Sequence, residues 1–346
     1  MRSRRSSWLG LVSLFVPAFS SLAAGPLDVL HGTSKLPAVD LATLKQGEIV
    51  SNRGPLGTFS HGVYVESSYF IHAPMPLVGE KLLHWNPMKH QELEVQMLRE
   101  FAWPAPPGVF DSLALSSSRT EDKWLIDRTW QIAPKHAGEL HLTANEPKQF
   151  RDAVRSLGNA PAAPQREAKA NEFWRRTLRA RNDAVAAGGL AALPPYTAND
   201  EHISQATELH NLMKIAPAIA ARFTPLLSKA PFTGATNPPD ELVPYWEASL
   251  VRGHTSLHGG FLSARKSAES WQIADCTYFT TDTYFFSVNL YELWPVENGT
   301  LVWQIDFDSA PLRGFIGNVD RIIAGKAMIK DDAQTATFFR ADAEQH

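Results

Sequence analysis

The sequence predicts an α+β fold in which a curved antiparallel sheet holds a C-terminal helix, with a helical insertion in the middle of the chain. One supporting observation is that every second residue is large and apolar on both sides of a tight turn, at Tyr284, Phe286, Val288, Leu290, Leu301, Trp303, Ile305 and Phe307. A second is the Asn298-Gly299 pair between them, which is typical of a two-residue hairpin turn with two positive φ angles. A third is the change from strand to helix periodicity at Leu312, which supplies a helix to cover the sheet.

The first 23 residues predict a cleaved export signal. Three arginines precede an apolar stretch at 8–19, and Ser21-Leu22-Ala23 offers small residues at the spacing that a signal peptidase reads. The apolar stretch is shorter than the ~20 residues that span a bilayer, and no later stretch is long enough. We therefore expect a secreted protein of the bacterial periplasm without a transmembrane segment after cleavage. The Ser3-Arg4-Arg5 sequence leaves both Sec and twin-arginine export open.

The composition argues against a nucleic-acid-binding protein. Removal of the signal takes away three arginines and no acid, which changes the formal net charge from −3 to −6. A nucleic-acid-binding surface needs a basic patch, so we expect no nucleic-acid partner. Cys276 is the single cysteine, so an exported chain has no internal disulfide and its stability must come from core burial.

The predicted α+β domain comprises residues 46–144 and 230–346, after a leader at 24–45 that mixes loop and a short helix. Strand character starts at Gly47 and is clear at 61–72, where residues of the two faces alternate. The length of the chain allows two domains, or one domain with a large insertion.

Prolines and alternation divide the rest of the first half. One or two helical turns at 77–85 end at Asn86-Pro87, and 92–101 fits either a short helix or an extended segment. Two further strands are predicted at 112–118 and 123–132, because the residues of the second alternate between two faces as in a half-covered sheet.

Residues 145–229 predict a helical insertion or a small lid. Helices are expected at 150–157 and at 167–187, the second of which is amphipathic and rich in arginine. A third helix at 200–227 contains two prolines, which should kink or split it.

The C-terminal helix is predicted from one apolar stripe, formed by Phe315, Val319, Ile322, Ile323 and Ala327. Three glycines in this segment weaken the prediction, since each costs about 1 kcal/mol relative to alanine in a helix interior. An interruption near Asp331-Asp332 is left open.

Residues 61–100 and 245–340 resemble the START/Bet v 1-like superfamily, also called the helix-grip fold. The resemblance lies in a strand that runs into Ile71-His72-Ala73-Pro74, a short helix ending near Trp85, a run of antiparallel strands and a C-terminal helix. It implies a hydrophobic cavity between sheet and helix that holds a lipid, sterol, polyketide or other apolar molecule. Most members bind or carry their ligand and some catalyse, and no family residue is universally catalytic. The helical insertion has no counterpart in a minimal member.

The first functional hypothesis is therefore a binding protein for an apolar small molecule such as a lipid, without a cofactor. Its predicted ligand-binding residues are Phe286, Trp303, Phe307, Ile323, His72 and Trp246. The apolar side chains among them are expected to converge on one enclosed pocket. The His72 imidazole, at the exit of a strand, can both donate and accept hydrogen bonds to a polar group of the ligand.

The second hypothesis is an enzyme of the same architecture that acts on a hydrophobic substrate. It requires that two or more of five titratable residues meet in the pocket, namely His72, His254, Asp275, Glu292 and Asp306. His254 and His258 would lie about 13 Å apart on a strand, too far to bind one metal ion. No motif supports Cys276 as a nucleophile. We therefore assign no catalytic residue and no metal ligand.

A third hypothesis is an aromatic surface module for glycans or for a partner protein. Four tryptophans belong to the late strands, namely Trp246, Trp271, Trp294 and Trp303. Tryptophans on an open face would favour this third hypothesis, and an enclosed pocket would favour the first.

Overall fold

The computed structural model describes residues 25–132, 140–157, 161–198, 201–312 and 318–345. The predicted export signal at 1–23 lies outside these ranges. Among the described helices, none combines the length and the apolarity that crossing a membrane requires.

The centre of the described structure is an eight-stranded antiparallel sheet. In chain order the strands are β1 (Val50–Arg53), β2 (Gly62–Ile71), β3 (Val95–Glu100), β4 (Tyr196–Ala198), β5 (Glu201–Ile203), β6 (Glu241–Val251), β7 (His254–Lys266), β8 (Trp271–Thr280), β9 (Phe286–Val296) and β10 (Gly299–Ser309). The large sheet has the order β1-β2-β10-β9-β8-β7-β6-β3, so β1 and β3 are its edges and it does not close into a barrel. Strands β4 and β5 form a separate hairpin.

Helices cover both faces of the large sheet. In chain order they are α1 (Pro26–Thr33), α2 (Leu41–Lys45), α3 (Met75–Leu83), α4 (Thr120–Trp130), α5 (Glu146–Val154), α6 (Ala163–Gly188), α7 (Gln205–Ile215), α8 (Pro217–Leu227) and α9 (Val319–Glu344). Helices α4, α6, α7 and α8 contact one face, which carries Trp303 and which we call the helical-layer face. Helices α3 and α9 contact the other, which carries Tyr291 and which we call the cleft face. The predicted α+β class, with a large antiparallel sheet and a C-terminal helix, is confirmed.

The turn between β9 and β10 differs by one residue from its prediction. Val296 pairs with Gly299, so Glu297 and Asn298 form the loop, and only Asn298 of the predicted pair has a positive φ, of 65°. Gly299 is required for another reason, because a Cβ there would overlap the backbone of β2. The turn with two positive φ angles is Arg252-Gly253, between β6 and β7.

The strands predicted at 112–118 and 123–132 are wrong. The first segment forms loop and turns, and the second largely belongs to α4. The buried residues of α4 are Asp122, Leu125, Ile126 and Thr129. These positions are three, four and seven residues apart, which is the spacing of one helix face. Over so few residues, alternation did not distinguish a strand from a helix.

Helix α9 lies on the cleft face against β1, β2 and α3, and it continues through Asp331-Asp332 without a break. Its buried residues are Arg321, Gly325, Asp332, Ala336, Phe339 and Ala343. Gly325 allows a close approach to the sheet, since a Cβ there would overlap the side chain of Arg53 on β1.

The predicted apolar stripe of this helix is on its exposed side. Val319, Ile322 and Ile323 are 43%, 37% and 60% exposed, and Phe315 lies outside the described residues. The most apolar side of α9 was predicted to be its buried side. This prediction is wrong because the buried side consists mainly of small and polar residues.

Segment 145–229 supplies α5 to α8 and the small β4–β5 hairpin. Pro217 begins α8 and so separates it from α7, whereas Pro225 lies inside α8. Arg222 of α8 donates to both carboxylate oxygens of Glu292 on β9, at 2.8 and 2.5 Å. One core cluster joins this layer to the sheet and includes Phe173, Trp174, Phe223, Trp303 and Phe307.

Candidate functional site

A cleft of about 150 Å³ lies on the cleft face, between the sheet and the C-terminal end of α3. Its lining residues are Leu82, Leu83, Trp85, Pro87, Leu98, Glu100, Tyr245, Glu247, Leu262, Asp275, Asn289, Tyr291 and Thr335. The sheet supplies the floor, the segment around the end of α3 supplies an apolar wall, and Thr335 belongs to α9.

Trp85 connects the apolar wall to α9. Its indole Nε1 donates to Asp342 Oδ2 at 2.9 Å, and its ring packs edge-on against Phe339, with centroids 5.6 Å apart. Helix α3 sits close to the sheet because Gly79 has no side chain, and a Cβ there would overlap the ring of Trp271. The wall of the cleft is thus held by both helices of the cleft face.

Three polar residues form a row across the floor. Asp306 of β10 pairs with Asn289 of β9, which in turn pairs with Asp275 of β8. Cross-strand partners share one face of an antiparallel sheet, with Cβ atoms about 4.5–5.5 Å apart. Because the large apolar residues of β9 and β10 point to the helical-layer face, this polar row points towards α3 and α9.

Tyr245 of β6 is held against the row by hydrogen bonds and by a glycine. Its hydroxyl donates to Asp275 Oδ1 at 2.8 Å and lies 3.2 Å from Thr277 Oγ1. Gly260 of β7 makes room for the phenol, because a Cβ there would overlap the Tyr245 ring.

Burial raises the pKa of the carboxyls on the floor. The pKa of Glu247 is raised to about 8, first by burial and then by the negative charge of Asp275. The pKa of Asp275 is raised to about 6 by burial, against the opposing effect of the Tyr245 hydrogen bond. Burial also raises the pKa of Asp308, on the same face, to about 6. At neutral pH Glu247 is thus mostly protonated and Asp275 mostly ionised, so the cleft contains both a proton donor and an acceptor.

A carboxyl pair joins α9 to the floor. Asp306 of β10 and Asp332 of α9 are 6% and 7% exposed and hydrogen-bond to each other. Gln304 Nε2 donates to Asp306 Oδ2 at 3.0 Å, whereas Asp332 Oδ2 receives no hydrogen bond from the described residues. Burial raises the pKa of both carboxyls, and the charge of Asp306 raises that of Asp332 further. Two carboxyls in contact cannot both ionise readily, so the pair shares a proton.

Basic side chains do not balance these carboxyls. The described lining of the cleft has no lysine, arginine or histidine. His258, the cross-strand partner of Glu247, stays neutral because burial lowers its pKa to about 4. Three buried acids elsewhere are paired with arginines, namely Asp122 with Arg119, Glu146 with Arg181 and Glu292 with Arg222. Glu66 is fully buried without an arginine and accepts hydrogen bonds from Lys35 N and Trp303 Nε1. Glu247 and Asp275 on the floor therefore have no basic partner among the described residues, whereas Glu100 on β3 is paired with His84.

The structure does not bring the predicted apolar ligand residues together. Phe286, Trp303 and Phe307 are fully buried in the core of the helical-layer face, and Ile323 is exposed on α9. The expected convergence on one pocket is therefore corrected. Alternation showed that one face of the hairpin is apolar, but that face is covered by the helical layer and not by the C-terminal helix.

His72 and Trp246 lie in two other places. His72 is exposed at the end of β2, where its Nε2 is 3.3 Å from Lys45 O. Trp246 lies on the helical-layer face, donates to Val109 O at 3.1 Å and borders a second cavity of about 120 Å³ near α4. The role of either residue in ligand binding stays a prediction.

Two of the five residues named for an enzyme lie in the same polar row. Asp275 lines the cleft, and Asp306 stands two strands away from it beyond Asn289. Glu292 is on the opposite face, paired with Arg222. The His254 Nε2 atom forms a hydrogen bond of 2.6 Å with Asp282 Oδ2, and the His254 ring stacks on Trp124. His254 does not line the cleft.

The remaining candidates are parts of the packed interior. The Nε2 atom of His258 lies 2.7 Å from Ser249 Oγ, whereas His254 is hydrogen-bonded to Asp282. Cys276 is fully buried, and burial raises the pKa of its thiol. The four late-strand tryptophans are 7% exposed or less, so they do not form an open aromatic face.

One group of described residues has the spacing of metal ligands. Glu80 of α3, His84 directly after α3 and Glu241 of β6 place ligand atoms within 4.8 Å of one another. Lys266 forms ion pairs with both glutamates, so an ammonium group already neutralises the site. His84 also hydrogen-bonds to Glu100, and we assign no metal to this group.

Sequence reasoning missed most of the cleft lining, including Tyr245, Asn289 and Tyr291. The available signal was the polar side of the late strands, because Asp275, Asn289 and Asp306 alternate with apolar residues. With the observed β9–β10 turn, Asn289 and Asp306 become direct partners, and the polar row follows.

Comparisons of the chain with protein-family models, with curated proteins and with solved structures give no match. The function is therefore inferred from the residues of the cleft.

Proposed function

We propose that the chain binds a small, largely apolar molecule in the cleft between the sheet, α3 and α9. The observation that carries this proposal is a cleft with leucine and aromatic walls and with two carboxyls of raised pKa on its floor. Apolar pockets with a few polar groups are the usual form of small-molecule sites, and perturbed carboxyls concentrate at such sites. If residues 1–23 direct export, this binding takes place in the periplasm.

The size of the cleft limits the ligand. A cavity of about 150 Å³ holds a benzene-sized group, whereas most drug-sized ligands occupy about 300–1,000 Å³. We therefore propose that a ring or a short aliphatic group enters the cleft, and that any longer chain extends into solvent. A whole lipid does not fit this volume.

We also propose that the chain is a distant variant of the START/Bet v 1-like superfamily. Support comes from the order of its elements, in which a first long strand, short helices, antiparallel strands and a C-terminal helix follow one another. The cleft is on the sheet face that α9 contacts, which is the side where the family resemblance implies a ligand. In this interpretation the helices between β3 and β6 are the insertion.

Filling the cleft should abolish binding. We expect Leu262→Trp to weaken the binding of benzyl alcohol, a neutral ring compound, at least tenfold, because the indole occupies the cleft. The measurement is the dissociation constant from two-dimensional NMR titration of the purified protein. Native mass spectrometry of the same samples should show any co-purified molecule in the wild type and less of it in the variant.

Ala248→Leu is the matched control, because it adds volume at the second cavity on the opposite face. It should leave the affinity for benzyl alcohol within about twofold of the wild type. Equal binding by Leu262→Trp and the wild type, with both proteins folded, would contradict the proposed site.

Acid–base catalysis in the same cleft is a second candidate, favoured by the different protonation of Glu247 and Asp275 at neutral pH. An enzyme in which Glu247→Gln blocks turnover should co-purify with its substrate, and the wild type with product or no ligand. Identical ligand masses from the two proteins would argue against catalysis and leave the binding proposal intact.

A further inference from the structure

We propose that the ligand of the cleft is an organic cation, with an ammonium group at the carboxyls of the floor and its apolar part against the aromatic and leucine walls. This inference rests on the proposed function and specifies the chemical class of the ligand.

The first argument is the one-sided charge of the cleft. The titratable side chains that face it or adjoin it are His84, Glu100, Tyr245, Glu247, His258, Asp275, Tyr291, Asp306, Asp308 and Asp332. Helix α3 contributes only apolar residues to the lining. Two of these groups are basic: His258, which is neutral, and His84, which is outside the lining and is paired with Glu100 and not with the carboxyls of the floor. A carboxylate or phosphate ligand would face repulsion from every ionised carboxyl of this set.

The second argument is the contrast with two buried acids on the opposite face of the sheet. On the helical-layer side, Glu292 and Asp122 are paired with arginines, which offset the cost of burying a charge. Asp275 accepts a hydrogen bond from the Tyr245 hydroxyl, lines the cleft and forms no ion pair with a described residue. Glu247 also makes no ion pair within the described residues, and it is mostly protonated at neutral pH. A ligand cation would supply a counter-charge for Asp275 and would favour the ionised form of Glu247.

The third argument is the nature of the walls. Trp85, Tyr245 and Tyr291 line the same cleft as Glu247 and Asp275. Aromatic faces attract ammonium groups through their quadrupole, and this attraction grows when water is excluded. Carboxyls and aromatic rings in one cleft therefore favour an ammonium over a neutral group of the same size.

Three ring compounds of similar size separate charge from shape. We expect benzylammonium to bind at least tenfold more tightly than benzyl alcohol at pH 7 and low salt, and benzoate to bind more weakly than either. The preference for benzylammonium should decrease as ionic strength rises. Dissociation constants are measured by NMR titration or calorimetry on the purified protein.

Variants that remove a single charge show which residue causes the preference for benzylammonium. Asp275→Asn should reduce the preference for benzylammonium over benzyl alcohol at least fivefold, because Asp275 is the floor carboxyl that is mostly ionised at pH 7. Glu297→Gln is the control, since this residue is exposed at the β9–β10 turn and should not change the preference. Far-UV circular dichroism confirms that the variants fold.

The pH dependence gives an independent readout. A bound cation favours the ionised form of Glu247, so the affinity for benzylammonium should rise between pH 6 and 8, where the ligand remains protonated. Benzyl alcohol should show no such rise, and Glu247→Gln should reduce it for benzylammonium.

The possible failures are distinct. Equal affinities for the three compounds, or tightest binding of benzoate, would overturn the cationic ligand and leave the proposed cleft site intact. A preference for benzylammonium that Asp275→Asn does not alter would overturn its placement on the floor. If none of the compounds binds, both this inference and the proposed function fail.

Discussion

Replacing Arg222 with methionine should lower the free energy of unfolding by about 3–5 kcal/mol, the largest effect we expect from a single substitution. The reason is that Glu292, which is fully buried on β9, would lose both hydrogen bonds from the guanidinium. An ionised carboxylate without a partner is expensive to bury, because the interior does not replace the hydration it loses. The measurement is urea unfolding followed by tryptophan fluorescence.

Two further variants separate this effect from the loss of side-chain contacts. The double variant Arg222→Met, Glu292→Leu should recover most of the lost stability, since it removes the buried charge together with its partner. Arg155→Met removes an arginine from an exposed pair with Asp152 and should change stability by less than about 1 kcal/mol. A loss for Arg222→Met no larger than that of Arg155→Met would contradict the account of the helical layer.

Asp332→Asn should make the protein more stable than the wild type at pH 7 to 8, by about 2 kcal/mol or more. In the folded wild type, Asp332 and Asp306 share a proton, and the pKa of Asp332 is raised above its unfolded value near 3.8 by burial and by Asp306. An amide at position 332 can donate to Asp306 at every pH and needs no proton.

The sign of the pH dependence follows from the raised pKa. The folded wild type retains a proton that the unfolded chain releases above about pH 4. As far as this carboxyl is concerned, the free energy of unfolding is therefore highest below about pH 4 and falls as the pH rises. The decrease amounts to about 1.4 kcal/mol per pH unit for one retained proton. The two stability curves should therefore diverge from pH 4 to pH 8, with the variant flatter than the wild type.

Asp331→Asn is the matched control, because Asp331 precedes Asp332 on α9 and is exposed. Burial and Asp306 raise the pKa of Asp332 more than Asp331 does, so the unfolding free energy of this variant should stay within about 1 kcal/mol of the wild type across this range. Parallel curves for wild type and Asp332→Asn would show that the carboxyls do not share a proton in the folded state.

The late strands could be predicted because alternation over ten or more residues identifies a strand and its two faces. The residue pairs between β9 and β10 could not be predicted, because the turn is Glu297-Asn298 and not Asn298-Gly299. A shift of one residue at a turn moves every pair along the hairpin. In the observed register Trp303 is opposite Glu292, and Asn289 is opposite Asp306.

The wrong secondary structure at 123–132 and the wrong face of α9 have a common cause. In both segments the sequence allows two arrangements, and tertiary packing decides between them. Residues 123–132 alternate over a length too short to exclude a helix, and burial of Asp122 and Thr129 shows which face α4 uses. The exposed stripe of α9 is more apolar than its buried side, because the buried side meets polar groups of the sheet such as Asp306.

The candidate site was the least predictable feature. The search for ligand residues followed large apolar side chains, and these form the packed core under the helical layer. The cleft is marked by polar residues on the reverse side of the same strands, whose burial depends on the positions of α3 and α9. Only two residues named from the sequence, Asp275 and Asp306, belong to its polar row.

The most direct test of the small-molecule site is a crystal structure of the protein grown with benzylammonium. We expect ligand density in the cleft, with the ring against Tyr291 or Trp85 and the nitrogen within hydrogen-bonding distance of Asp275 or Glu247. Ligand density only at the second cavity beside Trp246, or a cleft closed by side chains with no ligand in it, would contradict the account.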